Sequence, residues 1–223
     1  MMLTELVAAT DAVAATPSRL AKIEALAALL VRAAPDEIVP LVGLLLCDVC
    51  TTLRVLPTDV APQPWANGGG ITRVLVERPG WRISVAEIEG CAPFSSLPGV
   101  DRILIPLSES GVTLEIEGIE RRVPPREAIA FRGEDRVVGD SAGRIWVLNL
   151  MAHRSDVRLE VGIGGGVGAL VGDVDAVVTL DDRASLAGRQ LPPGTVLLPD
   201  GSSPPEFSAG AVALVRVSKT EGR

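Results

Sequence analysis

From residue 54 onward the chain contains no ten-residue stretch with a helical repeat, and this limits its fold more than any other feature. Short β-branched runs take its place: Ile-Thr-Arg-Val-Leu-Val at 71–76, Trp-Arg-Ile-Ser-Val at 81–85 and Val-Thr-Leu-Glu-Ile at 112–116. Others lie at 145–148, 176–180, 195–198 and 212–217, with Gly, Pro and Asp between them. Many short strands separated by turn residues can bury their apolar faces only as a sandwich or a barrel. The 23 Gly and 17 Pro supply the turns, and a 47% hydrophobic content supplies a core.

Residues 1–46 read differently. Ala and Leu dominate, and Leu20, Ile23, Leu26, Leu29 and Leu30 recur at helical spacing. Thr16-Pro17-Ser18 marks a break, with Ser18 an N-cap candidate, and Pro35-Asp36-Glu37 opens a further segment with acid in its first turn. Helices are expected near 3–14, 18–33 and 36–46. The resulting division is a helical segment at 1–50 and a β domain at 51–223. The most apolar run, 38–47, is too short to span a bilayer. No basic region precedes an apolar one at the start, so a cytoplasmic location is expected. The three cysteines, Cys47, Cys50 and Cys91, fit a reducing compartment. Cys47 and Cys50 have C-x-x-C spacing but lack a second pair or a βαβ context, and read as incidental.

The β part repeats at nearly constant spacing. Gly111–Leu114 resembles Val177–Leu180, offset by 66 residues; Pro124-Pro125 and Pro192-Pro193 each open a strand; Ser141-Ala142-Gly143 and Ser208-Ala209-Gly210 each precede one. A duplicated unit is expected, forming two packed barrels at about 54–155 and 156–218. Gly162–Gly168 reads as a flexible connection between them.

Candidate binding residues concentrate between Trp65 and Arg102. Trp65-Ala66-Asn67-Gly68-Gly69-Gly70 combines an aromatic anchor, an amide and glycines that permit close backbone approach. No Gly-Lys-Ser/Thr follows, so it is not a phosphate loop. In 81–86, Arg82, Ser84 and Ala86 share one face and Trp81, Ile83 and Val85 the other. One face of a barrel strand is the lumen. If that face carries Arg82 and Ser84 the interior is polar and cationic; the alternative sends both to solvent. Pro93 to Arg102 forms a rigid loop that brings Phe94, Ser95 and Arg102 together, and an Arg fork suits a carboxylate. The plainer alternative is an Asp101–Arg102 surface pair clamping the loop.

His153 is the one histidine, too few for a metal site of several His and a Glu, and no Gly-x-Ser-x-Gly elbow offers a triad. It reads as solvated. A formal net charge of -7 argues against nucleic acid.

The stretches 65–73, 81–86, 93–102, 131–134 (Phe-Arg-Gly-Glu) and 149–154 (Asn-Leu-Met-Ala-His-Arg) together resemble the HutD/Ves family. The resemblance covers about residues 54–218. It implies a mainly β, RmlC-like cupin jelly roll (a double-stranded β-helix), built as a bicupin of two barrel units plus the short helical N-terminal segment. It also implies a role associated with histidine utilisation. Two departures from the family pattern stand out: Cys91-Ala92 where Asp-Gly is usual, and Val147 where an Asp is usual. Residues 12–23 and 33–38 resemble the extreme N-terminus of ATP-dependent DNA ligases. No Lys-x-Asp-Gly nucleotidyl-transfer motif is present, so neither ligation nor nucleic-acid binding is expected. A fusion, a remnant or a misplaced start would each explain the join.

The expected function is binding of a small carboxylate, such as formylglutamate, with no metal or other cofactor. Trp65, Asn67, Gly68, Gly69, Arg82, Ser84, Phe94, Ser95 and Arg102 would hold it. Two alternatives remain. One is a metal-independent isomerase or hydrolase with Glu87 and Asp101 as acid/base candidates. The other is an interaction module using the N-terminal helices. No membrane partner is expected, and a homodimer is among the open oligomeric states.

Overall fold

The computed structural model describes residues 52–65, 68–165, 168–169, 174–186, 189–199, 206–208 and 210–220. The chain divides between Thr51 and Thr52. The expected helices, the ligase-like stretches, Cys47, Cys50 and Asn67 lie outside the described residues.

The described part is β throughout, apart from one 3-10 turn at Pro57–Asp59. The strands are β1 (Thr52–Val55), β2 (Gln63–Pro64), β3 (Gly70–Arg78), β4 (Trp81–Ile88), β5 (Ala92–Pro93), β6 (Val100–Pro106) and β7 (Val112–Ile116). They continue as β8 (Ile119–Val123), β9 (Ile129–Arg132), β10 (Val137–Asp140), β11 (Ile145–His153), β12 (Val157–Gly165) and β13 (Gly168–Ala169). The last are β14 (Ala176–Thr179), β15 (Ser185–Leu186), β16 (Arg189–Gln190), β17 (Val196–Pro199), β18 (Glu206–Ser208) and β19 (Ala211–Lys219). Each of the seven β-branched runs falls on a strand.

Two sheets make the first barrel, in the orders β2-β3-β4-β11-β6-β9 and β5-β10-β7-β8. Two more make the second, β1-β17-β14-β19-β12 and β13-β18-β15-β16. The six-stranded sheet is buried on both faces. One face joins Ala86, Ile88, Leu104, Val112, Leu114, Phe131 and Val147 in the core of the first barrel. The other, through Ile83, Val85, Ile105, Leu148 and Leu150, packs on Ala176, Val178, Val196, Ala213 and Val215 of the second barrel. Covering of both faces at β4 is why Ser84 is buried and Arg82 half-buried. Val177, Leu191, Leu197 and Val212 form a smaller core on the far face of the five-stranded sheet.

The internal repeat is visible in the topology. β11 lies between β4 and β6, and β19 lies between β12 and β14; β9 follows β6 as β17 follows β14. The prolines before β9 and β17 therefore occupy equivalent positions, and the two Ser-Ala-Gly stretches stand ahead of the equivalent strands β11 and β19. The third correspondence does not hold. Gly111–Leu114 leads into β7 of a four-stranded sheet, whereas Val177–Leu180 spans β14 of the five-stranded one. Val-Thr-Leu recurs there because pleated, half-buried positions favour those residues.

Two further expectations change. Gly162–Gly165 is not a loose connection but the end of β12, paired in unbroken register with Gly164 opposite Val212 and Gly165 opposite Ala211. Glycine weakens a strand, but the nine-residue β19 supplies the ladder. Residues 54–55, placed at the start of the first unit, instead belong to the second barrel's sheet, where Arg54 pairs with Leu197 and Val55 with Val196.

Candidate functional site

Antiparallel pairing lines up the lumen side chains in rows across the six-stranded sheet. Met151 stands opposite Arg82 on β4 and opposite Arg102 on β6, and Arg102 stands opposite Phe131 on β9. The next row joins Val74, Ser84, Asn149 and Leu104. Arg82 and Arg102 thus flank Met151 from strands roughly 10 Å apart.

These rows form the wall of a cavity of about 210 Å³, lined by Trp65, Thr72, Val74, Arg82, Ser84, Phe94, Ser95, Arg102, Asn149 and Met151, with Gln63, Pro64 and Leu97 at its edge. Six of the nine residues expected to bind ligand line it: Trp65, Arg82, Ser84, Phe94, Ser95 and Arg102. Gly68 and Gly69 do not. They form a turn in which Gly68 donates to the Trp65 carbonyl at 3.0 Å and takes φ +71°. The close approach belongs to Gly70, where a Cβ would meet the Glu87 carbonyl and the Trp65 ring. Gly70 therefore seats the indole.

Arg102 is 6% exposed. Its guanidinium lies between two rings, 5.0 Å from the centroids of Phe94 and Phe131, and donates to Asn149 Oδ1 at 3.2 Å. Among the described residues its Nε–H has no partner, and neither has the buried Ser84 Oγ. Burial, and then the charge of Arg82, lowers the Arg102 pKa to about 10. Trp65 meets Phe94 edge-on at 5.7 Å and donates from Nε1 to Thr72 Oγ1 at 2.7 Å. Three of six aromatic residues in the whole chain (three Trp, three Phe, no Tyr) thus cluster around one guanidinium. Arg82 donates to Met151 Sδ at 3.0 Å, a weak acceptor. Among the described residues neither Arg82 nor Arg102 forms a salt bridge. Glu77, opposite Arg82 in register, lines a separate outer hollow of about 180 Å³, which shares Arg82, Leu97 and Met151 with the cavity.

The Asp101–Arg102 clamp does not form. Strand alternation turns Arg102 inward and Asp101 outward, where Arg154 takes Asp101 at 2.7 Å and Glu134 at 2.9 Å. Glu87 faces away from the cavity and pairs with Arg144 at 3.0 Å. Neither acid/base candidate reaches the lumen, and no residue lining it is a carboxylate. His153 is exposed, as expected, and its backbone N–H donates to Gly80. Two guanidinium groups beside three hydroxyls and two amides do not suit a divalent cation, whose sites are built on imidazole, thiolate or carboxylate donors. Among the described residues no three His, Cys, Asp or Glu converge.

Asn149, Met151 and Phe131 were not among the expected binding residues. Their signal was present: 149–154 and 131–134 carry the family resemblance, and alternation along β11 places Asn149 and Met151 on one face. Val147 continues that face as fully buried core.

The rim depends on Gly133, whose N–H donates to Val100 and whose carbonyl accepts from Leu97, both at 2.7 Å. A Cβ there would collide with the Leu97 carbonyl. Gly133→Ala is expected to cost about 1–3 kcal/mol and to loosen the Phe94–Gly99 loop. A thermal melt together with proteolysis of that loop checks this.

Fold and site together define a double cupin-like barrel protein with a cationic pocket in its first barrel. The chain belongs to the HutD family: the HutD family model matches residues 57–178, more than half of its length. It is 37% identical over 87 residues to an uncharacterized 21.2 kDa protein in the hutC 3′ region of Pseudomonas putida, a match covering 35% of this chain and 46% of that protein. It is 28% identical over 148 residues to protein Ves of Citrobacter koseri, covering 62% and 75% respectively. HutD from Pseudomonas fluorescens SBW25, solved in a formate condition, superposes with TM-score 0.65 at 24% identity over 76% of this chain and all of that one. A cupin 2 conserved barrel protein from Leptotrichia buccalis superposes with TM-score 0.51 at 12% identity, over 76% and 98%. Among the described residues no helix is long and apolar enough to cross a membrane.

Proposed function

We propose that this chain binds a small carboxylate in the lumen of its first barrel, without a metal ion, in the cytoplasm and in the setting of histidine utilisation. The observation that carries the reading is Arg102: a guanidinium buried among aromatic rings, with a free Nε–H and no counter-charge among the described residues. An isolated buried charge is costly, and an anionic ligand offsets that cost. Ser84 and Asn149 add polar groups beside it, and Arg82 adds a second cation. The cavity is below the usual range for drug-sized ligands, which favours a metabolite of few atoms. The hut-region name of the Pseudomonas putida relative supports a histidine-pathway carboxylate, with formylglutamate the first choice. Trp65, Phe94 and Ser95 would close over it. The ligase-like segment supplies no nucleotidyl-transfer lysine and has no part in this reading.

Titration calorimetry with N-formylglutamate, glutarate and urocanate is the direct test, with one ligand per chain expected for at least one of them. No heat from any, for a folded sample, refutes the reading. Affinity should also depend on pH. The cationic form of Arg102 is required, so binding should hold through neutral pH and fall as pH rises through about 10. An affinity unchanged at pH 11 would exclude Arg102 as the anchor.

A further inference from the structure

We propose that two copies of this chain pair edge to edge through β12, joining their five-stranded sheets across a two-fold axis at Leu159. The repeat supplies the first argument. β12 and β4 hold equivalent places, but the outer edge of β4 is covered by β3, whereas β12 is bonded to β19 alone among the described strands. Nine residues of ladder edge are thus left without a neighbouring strand. This edge has no proline, no lysine and no register shift in its pairing with β19, and its two charges, Arg158 and Glu160, are of opposite sign.

The second argument is charge, and it selects both the partner and the register. Along β12, Arg158 and Glu160 are exposed on one face, while Val157, Leu159 and Val161 are half-buried on the other. Within one chain Arg158 and Glu160 make only a distant pair at 3.9 Å. With Leu159 on the axis, antiparallel pairing sets Arg158 opposite the second copy's Glu160, and Glu160 opposite its Arg158. Val157 then meets Val161, so the apolar face continues across the seam next to Leu159 and Val161, which already pack on the inter-barrel core. Moving the axis by one residue to Glu160 would set like charges opposite each other, which is unfavourable. A two-fold contact must be self-complementary, and this strand is.

The test uses the full chain, in sedimentation runs over a concentration series. The wild type should reach twice 23.2 kDa. Glu160→Arg places only arginines across the axis, and Arg158→Glu places only glutamates. Each should weaken self-association by about tenfold or more while leaving the melting temperature close to wild type, since both side chains are exposed. An equimolar mixture of the two variants should recover the wild-type dimer, because Arg again meets Glu at every position. A monomeric wild type overturns the proposal, including the case where another part of the chain covers this edge. So does a dimer that neither variant weakens, or one that the mixture fails to restore.

Discussion

Arg102→Met is expected to abolish carboxylate binding while leaving the protein as stable as before, or more stable. The guanidinium is the inner cation of the cavity, and truncating one partner of a buried, hydrogen-bonded charge pair costs about 2–5 kcal/mol of binding, on the order of 100-fold in affinity. Stability should move the other way. Burial, and then the charge of Arg82, lowers the Arg102 pKa to about 10, which costs the folded state on the order of 3 kcal/mol at neutral pH. That cost is present wherever Arg102 is charged in both states, and it is relieved as pH rises above about 10. Against it stand two cation–π contacts, at about 1 kcal/mol each, and one hydrogen bond. The methionine fills much of the same volume between Phe94 and Phe131. Calorimetry and a thermal melt on the same sample read both effects. A large fall in melting temperature would make Arg102 a structural residue, and unchanged affinity would place the ligand elsewhere.

Leu148→Ala should give the opposite pattern, with large damage to stability and none to the pocket. Leu148 is fully buried between the six- and five-stranded sheets. Removing its branched end leaves a cavity in that seam and costs about 2–5 kcal/mol, a large share of the roughly 5–15 kcal/mol typical of a whole protein. For a unit of this size the melting temperature should fall by about 10 °C. The adjacent Val147 and Asn149 face the lumen, so the folded fraction should bind ligand with wild-type affinity. Denaturant titration gives the first result and calorimetry below the melting point the second. A small loss of stability would mean that the two sheets are not one continuous core.

The paired predictions rest on alternation in β4 and β11, and that alternation is what could be read from the sequence. Arg82, Ser84 and Ala86 are visibly on one face. The sequence does not say whether that face is inside, because the answer depends on a second sheet covering Ile83 and Val85. The loop from Phe94 to Gly99 was legible because proline and a positive-φ glycine leave it few shapes, but Arg102, expected in that loop, lies on β6, where pairing with β11 turns it inward. Asn149 and Met151 were equally legible by period, but a strand with both faces buried gives no polar contrast to draw attention to them. Phe131 enters the site through pairing with Arg102 across β6 and β9, information held in register rather than in either segment. Composition misled at 162–165, where glycine suggested slack and a partner strand at 211–214 imposes a strand. Gly68 and Gly69 form the turn after Trp65 and do not line the cavity. Nothing local in Thr52–Val55 points to Val196–Pro199, since any short extended segment would fit that edge equally well.

The pairing of β1 with β17 has a consequence for synthesis. Its two halves are separated by more than 140 residues, so the first strand of this domain leaves the ribosome long before its neighbour exists. The first barrel's own strands can close earlier, over much shorter loops. Until Pro199 emerges, β1 has no place in a sheet, and such long-range closure is slow and leaves nascent chains exposed to aggregation. A chain truncated before β17 should therefore keep a formed first barrel with a free strand at its head, a species for a chaperone to hold rather than one able to finish folding.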